Sequence, residues 1–275
     1  MLMTRSPSFN RRRFLNFSAG LAGSALLSSA YAAPARVLKI GIMSGEDEDI
    51  WRIVAQNAAK SGLTLKVIPF SDYNAPNEAL TEHELDANAF QHRPFMEAQI
   101  KAHGYEITPV GDTYFQPIGL YSHKWHAIAD LPKGATIGVP NDPSNEGRAL
   151  RMLQTLGLIK VSADAGLFPT ALDITDNPRN ITVQELDAGM VGRSLSDLDA
   201  AIVNTDWARK AGIDLVKDRI GVEGLANNPY VNFIAVNTQD ANAAWVKPLV
   251  EAFHQPNVHQ SIDDLFHGTV SPAWS

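Results

Sequence analysis

The sequence contains no cysteine. That excludes disulfides, thiolate metal sites, a cysteine nucleophile and a lipid-modified cysteine behind an export signal. Catalytic signatures are missing too. There is no G-x-S-x-G elbow, no phosphate-binding glycine loop, no G-x-G-x-x-G and no helical H-E-x-x-H. Positive charge is scarce, with 23 Lys and Arg against 30 Asp and Glu and a net charge of −7. An acidic chain argues against nucleic acid or an anionic membrane surface as partner. The apolar stretch from Phe17 to Ala30 is too short, and too rich in Gly, Ser and Ala, to span a bilayer. Disorder is excluded by an ordinary globular composition, 45% hydrophobic and 19% charged.

The N-terminus reads as an export signal. Arg11-Arg12-Arg13-Phe14-Leu15 precedes the small-residue apolar run, and Ala30-Tyr31-Ala32 supplies an A-x-A-like cleavage site. The paired arginines before Phe-Leu fit a twin-arginine signal, with an ordinary Sec signal as the alternative. Removing residues 1–32 takes away four arginines and no acids, deepening the charge from −7 to −11. Roughly 240 residues remain, enough for one large domain or two modest lobes without disulfide staples.

Along that mature chain, strand and helix patterns alternate. A strand at Val37 to Ile42 leads into a helix opened by Glu46-Asp47-Glu48-Asp49. Acids in a first turn suit the positive end of the helix dipole and need no ligand. A second strand spans Leu63 to Phe70, a helix lies near Pro76 to Glu84, and Ala87 to Gln91 is a short strand before a helix from Pro94 to His103. Extended segments follow at Ile107 to Val110 and Ile118 to Ser122. A second series then begins with the strand Ala135 to Pro140 and the helix Ser144 to Leu156. Strands at Ile181 to Val183, Ala200 to Val203 and Tyr230 to Val236 follow, and helices at Ala241 to His254 and Val258 to Phe266 close the chain. This predicts an α/β fold with mainly parallel sheets. It is compatible with two lobes joined by two crossings, near Ser122 and near Asn228.

Three segments carry candidate chemistry. In Val139-Pro140-Asn141-Asp142-Pro143-Ser144-Asn145-Glu146-Gly147-Arg148, Asp142 is a plausible N-cap with Pro143 at the first helical position. Asn145 and Arg148 share one helix face. Free N–H groups at the helix start and a neighbouring guanidinium could hold a carboxylate in a two-pronged grip; a capped helix with a surface arginine is the plain alternative. Asn204 leaves an apolar strand and Asn232 sits inside another. As neutral acceptors they could take an ammonium, or they could tie down local backbone. The aromatics Phe70, Tyr73, Phe90, Tyr114, Phe115 and Tyr121, with His92 nearby, could wall a thioether, although Phe70, Phe115 and Tyr121 read as core. His123-x-x-His126 lacks a carboxylate partner and reads as surface.

Six motifs in order then bring a family into view: Leu38-Lys39-Ile40-Gly41; Phe70-x-Asp72-Tyr73-x-x-Pro76-Asn77-x-Ala79-Leu80; Asp86 to His92; Pro140 to Leu150; Leu198 to Asn204; and Asn228 to Asn232. The series resembles the NlpA/MetQ family, methionine-binding receptors of ABC importers, over nearly all of the mature chain. The resemblance implies a two-lobed periplasmic-binding-protein fold of the second type, with residues 33–122 and 228–275 in one lobe and 123–227 in the other. It implies capture of L-methionine or a close relative for an importer permease, by a monomer without cofactor. Arg148 and Asn145 resemble the carboxylate grip, and Asn204 and Asn232 the amides around the α-amino end. Tyr73, Phe90, His92 and Tyr114 resemble the side-chain pocket, with Gln91 beside them. Alternatives are a methionine-containing dipeptide, another small amino acid or sulfur compound, or an enzyme on this fold acting on a thiamine-type pyrimidine. The sequence departs from the family in three places. It lacks the lipobox cysteine, which implies a periplasmic or extracellular protein that is soluble or held by an uncleaved signal. Asp47-Glu48-Asp49 replaces a His-Ala-Glu-like triplet, and Trp207 stands where a tyrosine is usual.

Overall fold

A computed structural model describes residues 36–225 and 228–274; the export signal expected over residues 1–32 lies outside them. In chain order the elements are β1 (Val37–Met43), α1 (Glu46–Lys60), β2 (Thr64–Phe70), α2 (Ala75–Thr81), β3 (Ala87–His92), α3 (Arg93–His103) and β4 (Ile107–Phe115). There follow β5 (Gly119–Tyr121), β6 (Thr136–Pro140), α4 (Pro143–Thr155), β7 (Lys160–Val161), β8 (Ile174–Asp176), β9 (Thr182–Leu186), α5 (Ala188–Val191), β10 (Ala200–Val203), α6 (Thr205–Lys210) and β11 (Arg219–Val222). The chain closes with β12 (Val231–Asn237), α7 (Val246–Phe253), α8 (Pro256–Phe266) and β13 (Ser271–Pro272).

The strands form two main sheets. One is six-stranded in the order β13-β4-β12-β3-β1-β2, the other five-stranded in the order β11-β5-β10-β6-β9. The chain leaves the first sheet after β4, builds the whole of the second, and returns at β12. Both sheets are mixed rather than mainly parallel. The βαβ strands β1, β2 and β3 pair in parallel, as do β6, β9 and β10. The strand that enters each sheet from the other runs antiparallel to its neighbours: β12 between β3 and β4, and β5 between β10 and β11. The expected boundary at residue 122 is therefore late. Residues 119–121 pair with β10 and β11, so the outward crossing lies between Phe115 and Gly119.

Local chemistry explains the elements that build the site. In α1, Ile50, Trp51, Val54 and Ala58 recur at helical spacing and are fully buried against the first sheet with Phe253 and Ile262. In α4, the Asp142 carboxylate accepts from the Asn145 amide at 3.0 Å, with Pro143 in the first turn. In α3, His92 is the N-cap, and Gly104 ends the helix in the left-handed conformation at φ 73. The second sheet packs Leu120, Ile137 and Ile202 against Leu150 and Leu153 of α4. A further apolar cluster bridges the sheets, joining Met43, Phe90 and Phe95 to Tyr121, Ala188 and Trp207. The helix expected from Ala241 is shorter, because residues 238–245 are taken up by a 3-10 turn and a bend before α7.

Gly147 sits where α4 meets the loop after β7. A Cβ there would come within 2.5 Å of the Leu167 carbonyl oxygen and 3.0 Å of the Phe168 Cα. Both obstacles are backbone and cannot rotate away. Gly147→Ala is expected to destabilise the protein by about 1–3 kcal/mol by denaturant unfolding, despite alanine's better helix propensity.

Candidate functional site

Between the two sheets lies a narrow cleft whose enclosed cavity is about 30 Å³. All nine residues singled out from the sequence line it: Tyr73, Phe90, Gln91, His92 and Tyr114 from the first sheet's side, Asn145, Arg148 and Asn204 from the second, and Asn232 on the returning β12. The first sheet's side also contributes Met43 of β1, Asp47 of α1 and Phe95 of α3, Gln116 comes from the crossing, and Thr205 and Asp206 come from α6.

The geometry changes several of the expected roles. Arg148 is not an open fork. Its Nε donates to Glu223 Oε1 at 2.9 Å, its Nη2 also bonds Glu223, and the same Nη2 donates to the Gln116 carbonyl at 2.9 Å. Among the described residues, Nη1 has no protein partner. The Asn145 amide at the helix start is not free for an anion either, because the Asp142 carboxylate caps its N–H and takes its side-chain Nδ2 at 2.9 Å.

Asn145 is instead a bridge between the sheets. Its Oδ1 accepts from Asn204 Nδ2 at 3.1 Å and lies 3.2 Å from His92 Nε2. His92 Nδ1 accepts the Phe95 amide at 3.2 Å, so the ring's single proton sits on Nε2 and points at Asn145. Burial, reinforced by the charge of Arg148, pushes the His92 pKa down to about 3, which keeps the ring neutral. Asn204 and Asn232 both spend their N–H groups inward, Asn232 on the Phe90 carbonyl at 3.2 Å. Asn204 Oδ1 is buried without a partner. Gln91 touches the cleft, but its amide is locked into a buried network with Asn77 and Asn88 at 2.7 to 3.1 Å, so it props the wall.

Sequence reasoning missed two carboxylates. Of the four acids opening α1, Glu48 accepts the Gly45 amide at 3.0 Å, Asp49 pairs with Arg52, and Glu46 pairs with Arg209 across the cleft. Asp47 alone turns inward, 7% exposed, and accepts the Tyr114 hydroxyl at 2.6 Å. Burial, opposed by that hydrogen bond, pushes its pKa up to about 7. On the opposite wall Asp206 accepts the Tyr73 hydroxyl at 2.7 Å, while its Oδ2 is buried without a partner. Its pKa is also raised by burial, against the Tyr73 hydrogen bond and the Lys210 charge. The unusual triplet was the available signal for Asp47. Asp206 gave none beyond lying two residues from Asn204.

The remaining wall is aromatic. Tyr73 lies 6.1 Å from Phe90, 5.9 Å from Phe95 and 5.6 Å from Trp207, centroid to centroid. His123 and His126 are exposed and distant from this group, with His123 facing Asp218 at 3.7 Å.

Two mixed α/β sheets facing each other across a polar, aromatic-walled cleft, with two chain crossings at its base, define a receptor of the binding-protein class. The chain belongs to the NlpA lipoprotein family, whose model matches residues 38–274. It is 40% identical over 241 residues to the D-methionine-binding lipoprotein MetQ of Salmonella typhimurium, covering 86% of this chain and 88% of that one. Lipoprotein 28 of Escherichia coli is 39% identical over 246 residues, 88% of this chain and 90% of its own. Among solved structures, a nutrient binding protein from Burkholderia cenocepacia bound to methionine superposes with a TM-score of 0.84 at 46% identity, covering 86% of this chain and all of that one. The crystal structure of the methionine binding protein MetQ gives 0.83 at 38% identity, covering 87% and 98%.

The Asp47 environment sets a pH dependence. A carboxyl whose folded pKa is raised from 3.8 to about 7 holds its proton in the native state while the unfolded chain has lost it. Its contribution is therefore complete below about pH 4 and is lost as pH rises through about 7. Asp47→Asn should thus gain stability relative to wild type between pH 5 and pH 8, as urea unfolding at the two pH values would measure.

Proposed function

We propose that this chain is an extracytoplasmic solute-binding protein that captures L-methionine, or a close relative, in the cleft and delivers it to the permease of an ABC importer. The observation that carries this reading is the convergence of three features in one small cavity. A guanidinium with Nη1 to spare can meet a carboxylate. Asn204 Oδ1 and Asn232 Oδ1 are neutral acceptors suited to an α-ammonium. The walls of Phe90, Phe95, Tyr73 and Met43 suit a thioether, because sulfur–aromatic contacts are favourable. Relatives at 38–46% identity are named for methionine binding or as structures bound to methionine. They are binding proteins by name, which leaves the enzyme alternative without support.

In this reading the two sheets belong to two lobes that hinge at the crossings and close on the ligand. The interlobe bonds from Tyr73 to Asp206 and from His92 to Asn145 hold the closed form. The protein acts as a monomer exported by its N-terminal signal. Its relatives are named lipoproteins, but this chain has no cysteine to carry a thioether-linked lipid, and no helix among the described residues is long and apolar enough to cross a membrane. We read it as soluble in the periplasm or held by an uncleaved signal.

Removing Arg148 alone would strand the nearly buried Glu223 carboxylate, so the informative variant removes both. Arg148→Ala with Glu223→Ala is expected to keep a cooperative melt while methionine affinity falls by about 2–5 kcal/mol, read by calorimetry. Wild type should bind at micromolar or tighter, about 8 kcal/mol or more. Binding by the double variant within twofold of wild type would overturn the site.

A further inference from the structure

The charges around the cleft do not balance. Arg148 is matched by Glu223, which grips it through both oxygens. Lys210 reaches toward Gly45 on the opposite wall and its charge acts on both Asp47 and Asp206. His92 is neutral. Lys210 is the one cation acting on both Asp47 and Asp206, so an ionised Asp47 has no counter-charge of its own; burial keeps its proton on up to about pH 7, and a bound cation would take that proton's place. The oxygens of both acids are also underused. Each carboxylate holds one tyrosine hydroxyl, Asp206 Oδ2 is buried without a partner, and among the described residues Asp47 has no other side-chain partner. A third acceptor is independent of the acids: Asn204 Oδ1 is unpartnered on a residue only 9% exposed that lines the same cleft.

Ring faces behind the cleft already stabilise cations, and Tyr73, Phe90 and Phe95 line the cleft itself. Lys210 Nζ is buried without a hydrogen-bond partner and rests 4.1 Å from the Trp207 ring centroid, and the Arg148 guanidinium lies 4.2 Å from that of Tyr230. Carboxylates and aromatic faces sharing one desolvated pocket are the recognition chemistry of an organic cation. A plain thioether has no positive charge or N–H to offer these oxygens, and would leave them desolvated and unpaired.

We propose that the preferred ligand is an amino acid of about methionine's length whose side chain ends in a positive charge, a sulfonium in place of the thioether, held between Asp47 and Asp206 against Tyr73 and Phe90. This rests on the reading of the cleft as an amino-acid site and narrows it. The positive end explains why this chain carries Asp47 on one wall and Asp206 on the other, each braced by a tyrosine.

The test is calorimetric titration of the mature protein with L-methionine, with L-methionine S-methylated to its sulfonium, and with L-lysine. The sulfonium is expected to bind at least roughly tenfold tighter than methionine. Asp47→Asn and Asp206→Asn, which keep an oxygen for each tyrosine, should collapse that ratio toward one. A lysine preference over both would overturn the sulfonium assignment. Methionine binding as tightly as either cation would overturn the proposal and leave the amino-acid site standing; binding of none of the three would overturn both. The wild-type ratio decides the matter even if a variant fails to fold.

Discussion

One guanidinium organises the base of the cleft. Arg148 comes from α4 of the second sheet's lobe, yet its partners belong to the two chain crossings. It donates to the Gln116 carbonyl on the way out, pairs with Glu223 just before the way back, and lies over the Tyr230 ring beside β12. Glu223 repeats the link, accepting from the Ile118 amide and donating its own N–H to the Ile118 carbonyl. An arginine 3% exposed and a carboxylate 11% exposed form a nearly buried pair, and removing one partner of such a pair costs about 3–5 kcal/mol because the other is left uncompensated. The crossings are therefore tied to each other by a residue that also lines the cleft.

From that base the cleft wall is built by polar groups that satisfy each other up to the rim of the cavity and no further. The chain from the Phe95 amide through His92 and Asn145 to Asn204 crosses from one sheet to the other and stops at an unpaired carbonyl oxygen. The phenols of Tyr73 and Tyr114 likewise end on carboxylates with capacity to spare. Buried polar groups left unpaired are costly, and Asn204 Oδ1, Asp206 Oδ2 and Lys210 Nζ lie together where the two sheets face each other. That clustering distinguishes the cleft from the structural amide network of Asn77, Asn88 and Gln91, where every donor written into the pattern finds an acceptor.

Much of this was legible in the sequence, and the parts that were not have physical causes. The alternation of β1, β2 and β3 with α1 and α2 follows from local periodicity, and Asp142-Pro143 marks the start of α4 because capping is local chemistry. The antiparallel strands at the crossings were not legible, since their direction depends on which sheet the chain has just left. The nine cleft residues were found through ordered motifs, but their hydrogen bonds were not: nothing near Arg148 in sequence announces Glu223, which lies 75 positions away. Asp47 was read as a helix-dipole charge like its three neighbours. Only the tertiary fold, which brings Tyr114 of β4 within hydrogen-bond distance of Asp47, separates it from them.

The central claim is that this cleft closes on a small amino acid. Native mass spectrometry of the purified mature protein tests it most directly, because a desolvated pocket shut by interlobe hydrogen bonds releases its ligand slowly. The account predicts a one-to-one complex whose released ligand has the mass of methionine or of a methionine-sized cationic amino acid. A protein that flies bare, and stays bare with excess methionine and its sulfonium present, would contradict it.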